Sequence, residues 1–340
     1  MAKFVLYKDR VVEQFNSLRE LDVDIAYIEK ANPLMVPILE ENTRCEFNID
    51  SLRNLKLVKD MSRVWYHSQL LSKEDLEIVL NLGIRKFVIE DLVDLNLLLN
   101  YVQDKDYQID LMLRMKLKEN TIFTGRYFVF GMDSDIVNSK IKELRENKKI
   151  RKLGIHFHRK SQNVSEWSLK EELKDSIEEE VLNLIDFIDI GGGLPTNYKN
   201  SRAEVLNTIF PKIKKLVEWL KQYNVRVMIE PGRYLSGPCV ELEAEIKKVS
   251  GRDIVIDCSV YNSCMDTLIA PIKLIVKNEL DKNGKSYVIK GCTPCSFDIF
   301  RYDVKLDNPR VGDKLVFINA GAYNFYTDFC NLDKVETIIV

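Results

Sequence analysis

From residue 22 to residue 235, short apolar runs rich in β-formers alternate with charged helical stretches. That alternation constrains the fold more than any other feature. Runs at 24–29, 44–47, 63–67, 86–90, 109–115, 152–158, 184–190 and 225–230 read as strands. Segments 73–82, 134–147 and 203–223 carry apolar residues at three- and four-residue steps. Ile209, Ile213, Leu216 and Leu220 are one such stripe, the pattern of an amphipathic helix. Eight strands alternating with helices over roughly 210 residues predict an α/β chain with a (β/α)8 TIM barrel spanning 22–235.

In such a barrel all strand C-termini share one face, and that face carries the chemistry. Unusual residues fall there. Lys30 ends the first run and His158 the sixth; Gly191-Gly192-Gly193 follows the seventh, and Glu230-Pro231-Gly232-Arg233 follows the eighth. Lysine forms an imine with an aldehyde and exchanges it for a substrate amine. Glycines let backbone N–H groups approach phosphate oxygens closely. Together with a histidine and a carboxylate, they describe a site for an aldehyde cofactor bearing a phosphate. The polar loop 159–167 is placed to lie over the barrel mouth.

After Arg233 the helical periodicity fades. Runs at 239–246, 254–258, 272–276, 287–289 and 314–319 are separated by turn signals such as Asn283-Gly284 and Val311-Gly312-Asp313. They predict a C-terminal antiparallel β domain. The first strand-like run, 4–7, is expected to pair with it, so that residues 1–21 plus 236–340 form a sandwich or barrel-like β domain.

Composition narrows the class. The chain has 340 residues, 46% hydrophobic and 30% charged, enough for a substantial core. Its net charge of −2, with mixed signs, argues against nucleic acid and anionic membrane as partners. No apolar run reaches membrane-spanning length, and the N-terminus lacks the apolar core of a signal peptide. The seven cysteines are scattered, and Cys292 and Cys295 form a lone C-x-x-C without the second pair a zinc ribbon needs. No metal is expected, and free thiols fit a reducing cytoplasm.

These motifs, in this order, resemble the fold-type III, alanine racemase-like barrel decarboxylases that use pyridoxal 5′-phosphate (PLP): ornithine, diaminopimelate and carboxynorspermidine decarboxylases. Tyr27-Ile28-Glu29-Lys30-Ala31-Asn32-Pro33 is similar to the family's Tyr-x-x-Lys-Ala-Asn-Pro. The resemblance implies that Lys30 is the Schiff-base lysine. It makes Glu230 the partner of the pyridine nitrogen and stacks His158 on the ring. It assigns Ser161, Gly191, Gly192, Gly193, Gly232, Arg233 and Tyr323, in Gly321-Ala322-Tyr323, to the phosphate. His156 shares a strand face with His158. Gly291-Cys292-Thr293-Pro294-Cys295 resembles the segment whose cysteine handles the α-carbon proton in the partner subunit's site. A homodimer with shared active sites is therefore expected, the β domain completing each site at the interface. Asp257 matches a carboxylate near the substrate. Val255-Ile256-Asp257-Cys258-Ser259-Val260 and Asp266-Thr267-Leu268 also look like the carboxynorspermidine branch.

Departures bear on the substrate. Ser296 stands where ornithine and diaminopimelate decarboxylases carry Asp or Glu, and Asp298 lies nearby at a shorter spacing. Asn48 replaces an aspartate, Lys160 a glycine, and Val129 a lysine. The expected activity is decarboxylation of an amino acid, either a diamino acid or a carboxylated polyamine-like substrate, in polyamine or amino-acid metabolism. The alternatives are a tailoring decarboxylase acting on an aminocarboxypropyl group of a natural product, and an amino-acid racemase. Racemases of this plan place an arginine at the pyridine nitrogen, so Glu230 argues against the latter. A non-catalytic PLP binder is usually a lone barrel, and residues 236–340 argue against it.

Overall fold

The computed structural model describes residues 1–117, 129–201, 203–281, 283–324 and 326–340. The chain divides into two compact units. One comprises Ser17–Leu194 with Val205–Gly232; the other comprises Met1–Asn16, Pro195–Glu204 and Arg233–Val340.

Strand β1 (Lys3–Leu6) belongs to the second unit. The first unit is built on β2 (Asp24–Ile28), β3 (Glu46–Ile49), β4 (Val64–Tyr66), β5 (Lys86–Ile89), β6 (Ile109–Arg114), β7 (Ile150–His156), β8 (Phe187–Asp189) and β9 (Arg226–Ile229). These eight strands close in sequence order into a parallel barrel, with β9 returning to β2 through Asp24–Met228 and Ile25–Ile229. Every sequence run therefore contains a strand, but some ends move. β3 runs two residues further than expected because Asn48 and Ile49 pair with Trp65 and Tyr66. β7 stops at His156, so His158 lies beyond the strand rather than ending it.

Ala26, Trp65, Val88, Met112, Phe187 and Met228 pack together in the core, with the Trp65 and Phe187 rings edge-on at 5.4 Å. The outer helix Leu206–Lys221 buries Ile209, Ile213, Leu216 and Leu220, the stripe read from the sequence. It begins three residues later than that reading, after a short 3-10 turn. Ser72 caps helix Lys73–Asn81, accepting from the Asp75 N–H at 3.0 Å while Asp75 accepts from the Ser72 N–H at 3.3 Å.

The second unit carries β1 with β10 (Val240–Ser250), β11 (Asp253–Ile256), β12 (Ile275–Val276), β13 (Lys285–Lys290), β14 (Ile299–Leu306), β15 (Lys314–Ile318) and β16 (Glu336–Ile339) in one eight-stranded sheet. The sheet is mixed rather than purely antiparallel. β1 pairs in parallel with β16, and β11 in parallel with β13. Both pairs join strands separated by long stretches of chain, as parallel pairing requires. Strand β1 does pair with this sheet, against β10 and β16. Segment Pro195–Glu204, inside the sequence-based barrel limits, groups with the second unit. Its backbone bonds Lys273 through the Lys199 N–H at 2.8 Å, and Asn200 bonds the Pro271 carbonyl at 3.0 Å. Among the described residues no helix is long and apolar enough to cross a membrane.

Candidate active site

The C-terminal ends of the barrel strands surround a cavity of about 530 Å³ whose wall includes Lys30, Asn48, Asp50, His67, Glu90, Arg114, His158 and Glu230. Glu230, set just past β9, is 1% exposed. Its Oε1 accepts from Asn48 Nδ2. Its Oε2 lies 3.2 Å from His156 Nε2 and 3.4 Å from His158 Nδ1. Burial alone would raise this carboxyl, but the attraction and hydrogen bonds of the two histidines outweigh it and hold Glu230 well below the usual carboxylate range. Burial holds both histidines below their ordinary value. A neutral His156 that donates from Nε2 leaves Nδ1 as a bare lone pair, and Nδ1 is the buried atom without a hydrogen-bond partner. Behind Glu230 lies the fully buried Asp189. Burial, then the Glu230 charge, pushes it well above the carboxylate range. In this pair Glu230 holds the negative charge and Asp189 the proton.

Lys30 sits in a single turn, Glu29–Ala31, immediately after β2. Its Nζ is 3.2 Å from Asp50 Oδ2. The Glu29 carboxylate accepts from the Lys30 backbone N–H and, at 2.6 Å, from Asn54 Nδ2. Burial, then the Asp50 charge, pushes Glu29 up to about 7. Across the mouth, Glu90 Oε1 receives His67 Nε2 at 3.0 Å and also the Arg114 guanidinium. Burial opposes ionisation there, yet His67 and Arg114 lower Glu90 to about 2. Asp50, His67, Glu90, Arg114 and Asp189 were not assigned roles from sequence. All but Asp50 lie at the C-terminal ends of the runs read as strands, so the rule that singled out Lys30 and His158 applies to them equally. His67, His156 and Glu230 also place one ligand atom each within 4.8 Å of one another. The hydrogen bond of Glu230 with His156 and the edge-on packing of the His67 and His156 rings at 5.1 Å account for their closeness.

The glycine run turns sharply beside this cluster, with φ of +68° at Gly191 and +102° at Gly193. A Cβ on Gly191 would strike the Phe157 carbonyl, and one on Gly192 would lie 2.8 Å from the Glu230 carbonyl oxygen. Only bare backbone fits there. The Gly191 N–H donates to Asp189 Oδ1 at 2.8 Å, and the Gly192 N–H points at His158 Nδ1 at 3.4 Å. Loop 159–167 is tied to the same turn, since the Asn163 N–H donates to the Gly193 carbonyl at 2.9 Å. Its Arg159 is buried and paired with Glu172 at 2.8 Å. Ser161 and Lys160 are exposed. A primary amine on the cavity wall, an imidazole, a buried ionised carboxylate and a Cβ-free turn fit PLP.

The sequence matches the pyridoxal binding domain of the pyridoxal-dependent decarboxylases over residues 8–237. The chain belongs to that family. Its cofactor is pyridoxal 5′-phosphate. This decarboxylase is 24% identical to diaminopimelate decarboxylase of Methanocaldococcus jannaschii, over 93% of this chain and 78% of that protein. It is 23% identical to 2-[(L-alanin-3-ylcarbamoyl)methyl]-2-hydroxybutanedioate decarboxylase of Staphylococcus aureus, over 74% of this chain and 70% of that one. The fold matches the lysine/ornithine decarboxylase of Vibrio vulnificus complexed with putrescine with a TM-score of 0.80 at 20% identity, covering 100% of this chain and 94% of that one.

In the second unit of the decarboxylase, Arg233 is buried and gives its guanidinium to both oxygens of Asp266, with Nη2–Oδ1 at 3.2 Å, and to the Tyr198 hydroxyl at 3.0 Å. Its charge is thus balanced inside the protein. The Tyr323 ring lies 5.0 Å from that guanidinium. Tyr323 has a φ of +54°, a conformation that costs a non-glycine residue and that clusters at functional sites. Cys295, half-buried, has its Sγ 2.9 Å from the Tyr261 hydroxyl. Burial, then this contact, pushes the Tyr261 phenol up to about 12, which keeps it a donor.

The expected substrate-reading residues separate. Ser296 is exposed. Asp298 is 1% exposed. It accepts from the Val260 N–H at 2.9 Å, the Thr293 N–H at 3.0 Å and the Thr293 hydroxyl at 2.7 Å. A Cβ on Gly291 would collide with its carboxylate. Asp298 therefore pins the cysteine loop, with both carboxylate oxygens engaged by neighbouring donors. Asp257 follows β11, and its Oδ1 accepts from the Glu245 N–H at 2.8 Å.

Proposed function

We propose that the protein is a carboxy-lyase that removes the α-carboxylate of an amino acid. The observation that carries this reading is the ionised Glu230, buried against His156 and His158 in the same cavity as Lys30. When bound, PLP supplies an aldehyde that captures an amine and a protonated ring that accepts the electron pair left by departing carbon dioxide. Lys30 would provide the amine that holds the cofactor. Glu230 would keep a proton on the pyridine nitrogen, which requires a carboxylate that stays ionised in the dark of the core. His158 would lie against the ring. Ser161, the Gly191–Gly193 turn and the Gly232 backbone would receive the phosphate. Arg233, balanced by Asp266, would serve chiefly to orient Tyr323, whose hydroxyl donates to the same group.

Cys295 would deliver a proton to the α-carbon, its thiol steadied by Tyr261. The resemblance places this cysteine in the partner's site, so the reading includes a two-fold dimer. The substrate's far end meets an exposed Ser296 in place of a carboxylate, and Asp298 is occupied. This favours a second reading, decarboxylation of an amino-acid moiety within a larger molecule, as the Staphylococcus aureus relative's name describes.

Three experiments test the proposal. Holoenzyme is incubated with a panel of α-amino acids and scored for carbon dioxide. Release from none, with cofactor bound, would remove the reading. Borohydride reduction and peptide mapping should find the adduct on Lys30, and an adduct on another lysine overturns that assignment. Mixing Lys30→Ala and Cys295→Ala chains under subunit exchange should restore about a quarter of wild-type activity, because about half of randomly paired dimers hold one intact site. Exchange without recovery would assign Cys295 to its own chain or to structure.

A further inference from the structure

The roles above leave Asp50, a carboxylate at the mouth, unused. β3 ends at Ile49, and Asn48 and Asp50 flank that residue, both in the cavity wall. The amide serves Glu230. The carboxylate serves Lys30, with Oδ2 3.2 Å from Nζ, and its side chain is 39% exposed to the cavity solvent. Glu29 also neighbours Lys30, but one of its oxygens receives the Lys30 N–H and the other Asn54. The Asp50 charge is felt at this spot, being the second cause after burial of the rise at Glu29.

Replacing lysine by a substrate amine at an aldehyde carbon is proton-neutral. From ammonium to imine the substrate nitrogen gives up its protons, the first to expose its lone pair and the next after it has bonded to carbon. The Lys30 nitrogen gains as many while its bond to that carbon breaks and it leaves as an ammonium. A group that carries protons from one nitrogen to the other must touch Nζ and be open to the arriving ammonium. We propose that Asp50 is a further catalytic residue of this decarboxylase. It accepts the substrate nitrogen's protons in turn, passes them to the Lys30 nitrogen as that amine leaves, and then holds the Lys30 ammonium as an ion pair. This rests on the reading of Lys30 as the imine-forming lysine.

The test compares two amines on holoenzyme by rapid-mixing absorbance. L-lysine arrives as an ammonium at its α-carbon, whereas aminooxyacetate arrives with its reacting nitrogen already unprotonated. Asp50→Asn should slow exchange with L-lysine on the order of a hundredfold, slow aminooxyacetate far less, and leave cofactor content unchanged. Asp50→Glu should recover most of the loss. In the cofactor-free protein, an acylating reagent should label Lys30 several-fold faster in Asp50→Asn, because the carboxylate 3.2 Å from its Nζ is gone. Unchanged exchange with L-lysine, or equal slowing of both probes, overturns the proposal. Borohydride mapping on Asp50→Asn separates the two claims. An adduct on Lys30 with unchanged exchange refutes Asp50 alone, and an adduct elsewhere refutes Lys30 and Asp50 together.

Discussion

At the N-terminal ends of the barrel strands, charged side chains come in matched pairs. Glu46 meets Lys86 at 2.5 Å, Asp110 meets Arg151 through bonds of 2.8 and 2.7 Å, and Asp24 meets Arg226. They line or border a cavity of about 290 Å³. At the C-terminal ends of the same strands the matching fails. Glu29, Asp50, Glu90, Asp189 and Glu230 face only Lys30 and Arg114 as fixed cations among the residues described there. Neutral histidines, Asn48 and a proton on Asp189 make up the difference. Pairs of fixed charge hold protons where they are and add stability. Crowded carboxylates instead come to hold protons unequally, Glu230 and Glu90 staying ionised, Asp189 keeping its proton and Glu29 rising to about 7.

Substitutions at the two ends should therefore differ in kind. The largest effect is expected at Glu230. Glu230→Gln should retain cofactor yet slow carbon dioxide release on the order of a hundredfold, about 2.7 kcal/mol of barrier, in single-turnover assays. Turnover near wild type would break the contrast at its strongest point. Glu29 sharpens it through pH. Its folded value of about 7 lies above its ordinary 4.5, so the folded state binds an extra proton between those values. Stability from this group is present below pH 4.5 and is lost as pH rises through 7. Glu29→Gln should gain on wild type across that window, reaching roughly 1–2 kcal/mol above it after allowance for cavity water. Urea unfolding at pH 5 and pH 8 reads the difference, and a gain independent of pH would contradict it. The smallest effect belongs to the opposite end. Asp110→Asn should cost about 1 kcal/mol in unfolding and leave turnover unchanged. A loss of turnover comparable to that at Glu230 would erase the distinction.

Much of this site was legible before any coordinates. Lys30, the glycine run and Glu230 each break a short apolar run at its C-terminal end, and a parallel barrel gathers such ends. His67, Glu90 and Arg114 carried the same mark, but their meaning lies in mutual contact across three strands, which spacing along one strand does not express. Asp298 carried a different signal. Its distance from Cys295 suggests a substrate contact, whereas the local backbone and hydroxyl donors on its carboxylate are ones that the sequence does not rank. The mixed sheet was hidden for a similar reason. β16 (Glu336-Thr337-Ile338-Ile339) is too short to show an alternation, and its parallel pairing depends on a strand more than 300 residues away.

That last pairing sets an order of assembly. The barrel has its eighth strand once Ile229 is made, so a growing chain can close it before β10 to β16 are synthesised. The sheet cannot be finished so early. β1, which precedes the barrel strands, has β10 and β16 for neighbours, and β16 ends at Ile339. One edge of β1 stays open until β16 emerges, and contacts of such span are slow to form. A strand made before the barrel must wait for one made long after it.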